Sequence, residues 1–312
     1  MGLAFGYRAF GGPEVQEFFD RPDPRPAPHE VAVAVTAAGV NPIDYMLRAG
    51  AIPGLNGGLP FPQVLGMEAA GIVTAIGADV AGLVVGDRVF GFALTGAGTY
   101  AHRTVLLGSA TARTPAGLSD AWAATIPVAG TTALDALDQL GLPSGARLLV
   151  NGIGGGVGVA TAQLARARGL DVVGTASTSK RDIAASTGAA FVDYTEGQVE
   201  GSLRALVPDG FDGIVDTVGG VSLRAVAPLA LEPSRVISIG DVSVTEIGGA
   251  AVDRHTDRPT LERVAELMLQ GVLDPHITAV HPLEHAAKAL ADVESAHSIG
   301  KTVLELSEIP SP

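Results

Sequence analysis

The chain contains no cysteine, which excludes disulfides, a thiolate nucleophile and any cysteine-ligated zinc or iron–sulfur centre. It is also short of positive charge. Its 20 Lys and Arg stand against 33 Asp and Glu, a formal net charge of -13, whereas affinity for a nucleic-acid backbone comes from clustered basic residues. A nucleic-acid partner is therefore not expected, anionic membrane surfaces are repelled, and any anionic ligand needs its own pocket of donors. No apolar run reaches transmembrane length uninterrupted, and the opening MGLAFGYRAFGG has no basic leader followed by an apolar stretch. The expectation is a cytoplasmic protein with no membrane partner.

What is present is a globular composition: 312 residues, 47% of them hydrophobic, and 41 glycines without the three-residue period of collagen. VAVAVTAA (Val31–Ala38) predicts a strand. In the following GVNPIDYMLRAG, Pro42 disfavours a helical Asn41 and can itself open a short helix, so Asn41 is expected on a loop. GIVTAIG and GDRVFGF add short strands between turn signals, which predicts a β-rich domain over roughly the first 120 residues. TIPVAGTTALDALDQL then changes character, with a turn at Gly130 and a helical run after it. From RLLVNG onward strands alternate with helices, which indicates an α/β domain with a mostly parallel, doubly wound sheet. The last strand, GKTVLEL, is expected to return to the first domain's sheet. This predicts a first domain over 1–122 and 272–312 and a second over 123–271.

The stretch LLVNGIGGGVGVATAQLA passes from strand to glycine run to helix, with no clean G-x-G-x-x-G. It reads either as a tight structural turn or as a loop whose bare backbone approaches a pyrophosphate at a helix N-terminus, and the strand-to-helix context favours the second. An NAD-selective site commonly carries Asp or Glu about 20 residues onward, for the adenosine ribose. Here that position reads Gly174-Thr175-Ala176-Ser177, without a carboxylate, followed by Lys180 and Arg181. Ser177, Lys180 and Arg181 suit a phosphate on that ribose, and Tyr194, after the next strand, can add a hydroxyl. The bland alternative is a helix cap at Ser177 and a solvated Lys180. NADPH is favoured over NADH.

Taken together, AAGVNPIDYMLRAG, LPFPQVLGMEAAGIVTAIGADVAGLVVGDRVFG, AGTTALDAL, GIGGGVG, GTASTSKR and GKTVLEL resemble, in order, the zinc-free, zeta-crystallin-like quinone oxidoreductases of the medium-chain dehydrogenase/reductase superfamily. The resemblance covers nearly the whole chain. It implies a GroES-like substrate domain, a Rossmann cofactor domain, a cleft between them and a homodimer. It also implies diphosphate binding by Gly154, Gly155, Gly156, Val157 and Gly158, phosphate recognition by Ser177, Lys180 and Tyr194, and places beside the nicotinamide for Asn41, Thr131 and Gly240.

Zinc-dependent relatives use a catalytic cysteine and the histidine of a GHE segment, where this chain has GVNPID and Gly66-Met67-Glu68. The seven histidines, among them His297, form no recognised ligand spacing, so no metal is expected. Without a metal to stabilise an alkoxide, reduction of a quinone or another conjugated carbonyl fits better than alcohol oxidation. Asn41 is a candidate donor to the acceptor carbonyl, and Tyr45 a candidate donor or apolar wall. AIPGLNGGLPF (51–61) and DVSVTEIGGAAVDRHTD (241–257) are candidate walls of the substrate mouth. An enone or enal double-bond reductase and a non-catalytic NADPH-binding regulatory protein are the alternative readings.

Overall fold

The computed structural model describes residues 2–52, 59–94, 96–295 and 298–306, so residues 53–58 of the candidate mouth and His297 lie outside the described residues. By contact, the chain divides into two units: Met1–Val128 with Thr256–Leu269 and Ile277–Pro312, and Ala129–His255 with Gln270–His276.

The first unit is built on a seven-stranded sheet. Its longest strand, Glu30–Val40, alternates small apolar residues that pack closely on both faces, and it pairs antiparallel with Glu68–Ile76, Arg103–Leu107 and Lys301–Glu305. The C-terminal strand thus returns to the N-terminal sheet, as GKTVLEL predicts. On one side of this sheet Val31, Val33, Val73, Val89 and Leu106 form an apolar cluster. A second cluster joins Phe5, Tyr7, Val35, Val40 and Tyr100 to Leu283, Leu290 and Val293 around the helix Ala286–Glu294.

The helix Arg258–Leu269 groups with this first unit, not with the second as an expected boundary at 271/272 has it. One tie to that unit is the Arg258 guanidinium. Arg258 donates from Nε to the Thr111 carbonyl at 2.8 Å, from one terminal nitrogen to the Gly108 carbonyl at 3.1 Å and from the other to the Ala81 carbonyl at 3.3 Å. Leu261, Val264, Ala265 and Met268 bury the apolar face of this helix.

The second unit carries a six-stranded parallel sheet in the spatial order Ala190–Asp193, Asp171–Ala176, Arg147–Asn151, Gly213–Asp216, Val236–Ser238, Ala250–Ala251. Counted along the chain, this is the 3-2-1-4-5-6 order of the doubly wound dinucleotide fold. The order reverses on either side of Arg147–Asn151, and the glycine run begins at the carboxyl end of that strand. A ligand crevice belongs there by topology alone.

Candidate active site

The second unit holds most of the expected nucleotide residues. Gly155 is the extended N-cap of the helix Gly156–Ala167, with no side chain capping it, so the helix's first amides are not claimed by a cap side chain. The glycines around it are sterically required. Gly152 has φ +92, and a Cβ there would lie 2.3 Å from Thr217 Oγ1. A Cβ on Gly158 would lie 2.2 Å from the Gly152 carbonyl oxygen, so only a bare backbone lets the helix seat against the loop. Gly154 is buried, and a Cβ there would lie 2.5 Å from Lys180 Cδ, which shows that the Lys180 stem runs directly over the loop.

A row of buried polar side chains supports this loop from below. Thr175 accepts a hydrogen bond from the Gly152 N–H at 3.2 Å and donates to Asn151 Oδ1 at 2.6 Å. Asn151 Nδ2 in turn donates to Asp216 Oδ1 at 2.7 Å, and Ser238 Oγ donates to Asp216 Oδ2 at 2.7 Å. The parallel register accounts for the row, because Thr175, Asn151, Asp216 and Ser238 are aligned neighbours on four adjacent strands. Asp216 also accepts the N–H groups of Val218 and Gly219, which sets the path of the next turn.

Lys180 is half-buried, and burial lowers its pKa because the ammonium loses hydration. An anion beside it reverses that penalty. Ser177 Oγ pairs with Ser179 Oγ at 3.0 Å on the exposed turn after the strand Asp171–Ala176. Arg181 stacks its guanidinium 4.8 Å from the centre of the Phe191 ring. Nearby, Asp193 accepts from the Thr178 hydroxyl and from both the N–H and the hydroxyl of Thr195. These bonds, led by that from Thr178, hold its carboxyl below the usual range, with a smaller contribution from the charge of Arg181. Arg181 thus packs on Phe191 beside Asp193, and the Lys180 stem lies along the glycine loop. Tyr194 is largely exposed in the turn after Ala190–Asp193.

Thr131 is fully buried at the start of the helix Thr131–Leu140, and its hydroxyl accepts from Arg254 at 2.9 Å. Asp135, one turn on, accepts the His255 N–H at 2.8 Å and lies 3.7 Å from the Arg254 guanidinium. Gly240 is exposed just past Val236–Ser238, and a Cβ there would meet open space. The protein's own packing does not demand glycine at that position.

In the first unit Asn41 does lie outside the helix, as its N-cap before Pro42–Arg48. Its backbone N–H donates to Asp44 Oδ2 at 2.8 Å. Its side-chain amide is buried in a charged cluster: Nδ2 donates to Glu68 Oε1 at 2.7 Å, and Oδ1 accepts from Lys301 Nζ at 2.6 Å. Lys301 also donates to Glu68 Oε1 at 2.9 Å, and Glu68 Oε2 accepts the Val128 N–H at 2.7 Å. Asp44 accepts from the buried Tyr100 hydroxyl at 2.8 Å; burial pushes its pKa up to about 7, against the pull of that hydroxyl. Tyr45 is half-buried against the second apolar cluster of this unit, and burial raises its pKa.

Glu68, Lys301, Asp44, Tyr100 and Asp216 are absent from the candidate residues read from sequence. A usable signal exists for two of them. Glu68 is the single charge in EAAGIVTAI and Lys301 opens KTVLE, whose other charge, Glu305, is exposed; charges at the buried end of such strands are tolerated only when paired.

Comparison with known proteins agrees with this architecture. Residues 27–129 match the alcohol dehydrogenase GroES-like domain, and residues 187–304 match the family described as zinc-binding dehydrogenase. The residues present do not fit a zinc ion. Glu68 has its oxygens engaged by three donors, and among the described residues no group of three or more His, Cys, Asp or Glu is placed to hold a metal. Nor, among those residues, is any helix long and apolar enough to cross a membrane. The pig quinone oxidoreductase is 33% identical over 318 residues, covering 95% of each chain. The structure of the Coxiella burnetii quinone oxidoreductase superposes with a TM-score of 0.90 at 27% identity, over 98% of this chain and 99% of that one. A mycobacterial protein, Rv1454c, solved in complex with NADPH, superposes with a TM-score of 0.86 at 26% identity, over 98% of this chain and 100% of that one. The chain belongs to the quinone oxidoreductase branch of the medium-chain dehydrogenase/reductase superfamily, a family of pyridine-nucleotide-binding oxidoreductases.

Proposed function

We propose that this protein is an NADPH-dependent reductase that passes a hydride to a quinone without a metal ion, with the second unit holding the nucleotide. The observation that carries the choice of NADPH is the placement of Lys180. Its stem lies over Gly154, and neither the end of the strand Asp171–Ala176 nor Ser177 after it carries a carboxylate, while the Asp193 carboxylate on the neighbouring strand is engaged by Thr178 and Thr195. The glycine loop and the first amides of Gly156–Ala167 receive the pyrophosphate. Ser177 and Lys180 receive the ribose phosphate, with Arg181 and Tyr194 at its margin.

Bound NADPH supplies a hydride, and with one proton from solvent a quinone becomes a hydroquinone and NADP+ remains. The protein's task is alignment and stabilisation of the acceptor oxygen as charge develops on it. Asn41 serves that oxygen. Its amide oxygen and one amide hydrogen are engaged by Lys301 and Glu68, and the other amide hydrogen has no acceptor among the described residues. Thr131, held by Arg254, and Gly240 flank the nicotinamide in this reading, and the ring of Tyr45 forms a wall.

The test is NADPH and NADH oxidation followed against a panel of quinones and enones, with and without a chelator. Hydroquinone formation with NADPH that survives chelation is expected. Reduction at carbon of an enone, with quinones inert, would replace the quinone reading by that of a double-bond reductase.

A further inference from the structure

The Asn41 cluster is more heavily built than a hydrogen-bond donor requires. Asn41, Glu68 and Lys301 are 4%, 0% and 3% exposed. A buried ion pair is weak evidence of stabilisation, since stripping water from both charges can cost as much as their attraction returns. Here, however, the three groups close a triangle in which each side is a hydrogen bond of 2.6–2.9 Å. Lys301 spends a further donor on the Val40 carbonyl at 3.3 Å.

The sheet makes room for the triangle. Thr302 pairs with Val40, and Ala69 with Ala38, so one residue further along each ladder Lys301 falls across from Asn41 and Glu68 across from Gly39. A Cβ on Gly39 would lie 2.1 Å from Glu68 Oε1, so the carboxylate occupies the space that this glycine leaves.

From this geometry we infer that Glu68 and Lys301 are positioning residues for Asn41. They act through its amide and not on the reactants. Turning that amide over would set its NH2 against the Lys301 ammonium and its oxygen against the Glu68 carboxylate. The ion pair therefore forbids the flip and leaves one N–H, in one direction, for an acceptor oxygen. Such a dipole is set before the reaction and does not need to reorganise during it. The inference rests on the role given to Asn41 above, and the experiment separates the two.

The variant to make is Glu68→Gln/Lys301→Met, which removes both charges together and avoids leaving either one buried alone. It is compared with wild type, Asn41→Ala and the triple variant by kcat and KM for NADPH and quinone, NADPH affinity from fluorescence titration, and melting temperature. Misorientation of one donor predicts a kcat lowered roughly ten- to a hundredfold with NADPH affinity unchanged. The same charge removal in the Asn41→Ala background should then have no further effect on kcat. Wild-type kcat in the double variant, or an equal fold loss in the Asn41→Ala background, overturns the inference. Wild-type kcat in Asn41→Ala overturns the role of Asn41 itself. If the double variant folds poorly, Lys301→Arg keeps the charge opposite Glu68 while altering the donor at Asn41 Oδ1. There too a reduced kcat at unchanged NADPH affinity is expected, and an unchanged kcat refutes.

Discussion

Asp44→Asn should remove a large contribution to the pH dependence of stability between about pH 4 and pH 7. Asp44 is fully buried, and burial, the largest influence, raises its pKa from 3.8 to about 7. Around it the Tyr100 hydroxyl, the Asn41 N–H and the Lys301 charge favour the carboxylate, while the Glu68 charge opposes it. Its Oδ1 has no partner among the described residues. Because the folded chain keeps the proton that the unfolded chain loses, the folded state binds more protons throughout this window. Stability therefore falls as pH rises from the ordinary carboxylate range to the folded pKa, and is level beyond it. At 1.36 kcal/mol per pKa unit the shift is worth about 4 kcal/mol. Asparagine keeps an acceptor for the Asn41 N–H and the Tyr100 hydroxyl but cannot ionise. The assay is urea unfolding of both proteins at several pH values from 4 to 8. The stability difference, variant minus wild type, should grow with pH and flatten above 7. Two curves that stay parallel would refute the reasoning.

Other perturbations test the nucleotide unit. Lys180→Ala removes one charge-assisted contact and should raise KM for NADPH roughly ten- to a hundredfold while leaving KM for NADH near wild type; equal effects on both nucleotides would remove Lys180 from phosphate recognition. Gly158→Ala forces a Cβ to within 2.2 Å of the Gly152 carbonyl oxygen and should cost about 1–3 kcal/mol in chemical denaturation. Gly240→Ala, facing open space, should leave stability unchanged, and any loss of activity should then appear as weaker nucleotide binding. Asp216→Ala strands Asn151, Ser238 and the Val218 and Gly219 amides and should lower stability by at least about 1–3 kcal/mol; a melting temperature within a degree of wild type would contradict the supporting role of the polar row.

Much of this architecture is readable from local sequence. The strand DVVGTA, Asp171–Ala176, is legible because β-branched and small residues between turn signals describe a buried parallel strand. The glycine run is readable because its strand and helix flank it directly. The charged triangle is not readable in the same way, since Lys301 lies 233 residues from Glu68. No periodicity links a charge opening one strand to a charge opening another; only the antiparallel ladders do. The polar row of Thr175, Asn151, Asp216 and Ser238 is hidden for the same reason, because each member sits at or next to the end of its own strand and becomes a neighbour only through register. The helix Arg258–Leu269 has a clear apolar face, but that face does not name its partner. Three backbone carbonyls of the first unit, invisible to any local pattern, receive Arg258 at its start.

The most direct test of the account is the ratio of kcat/KM for NADPH to that for NADH with a quinone acceptor, with the product identified. The account predicts a ratio above roughly ten, set by the phosphate contacts of Lys180 and Ser177, with hydroquinone as the product. A preference for NADH, or saturable NADPH binding with no turnover of any quinone or enone, would contradict it.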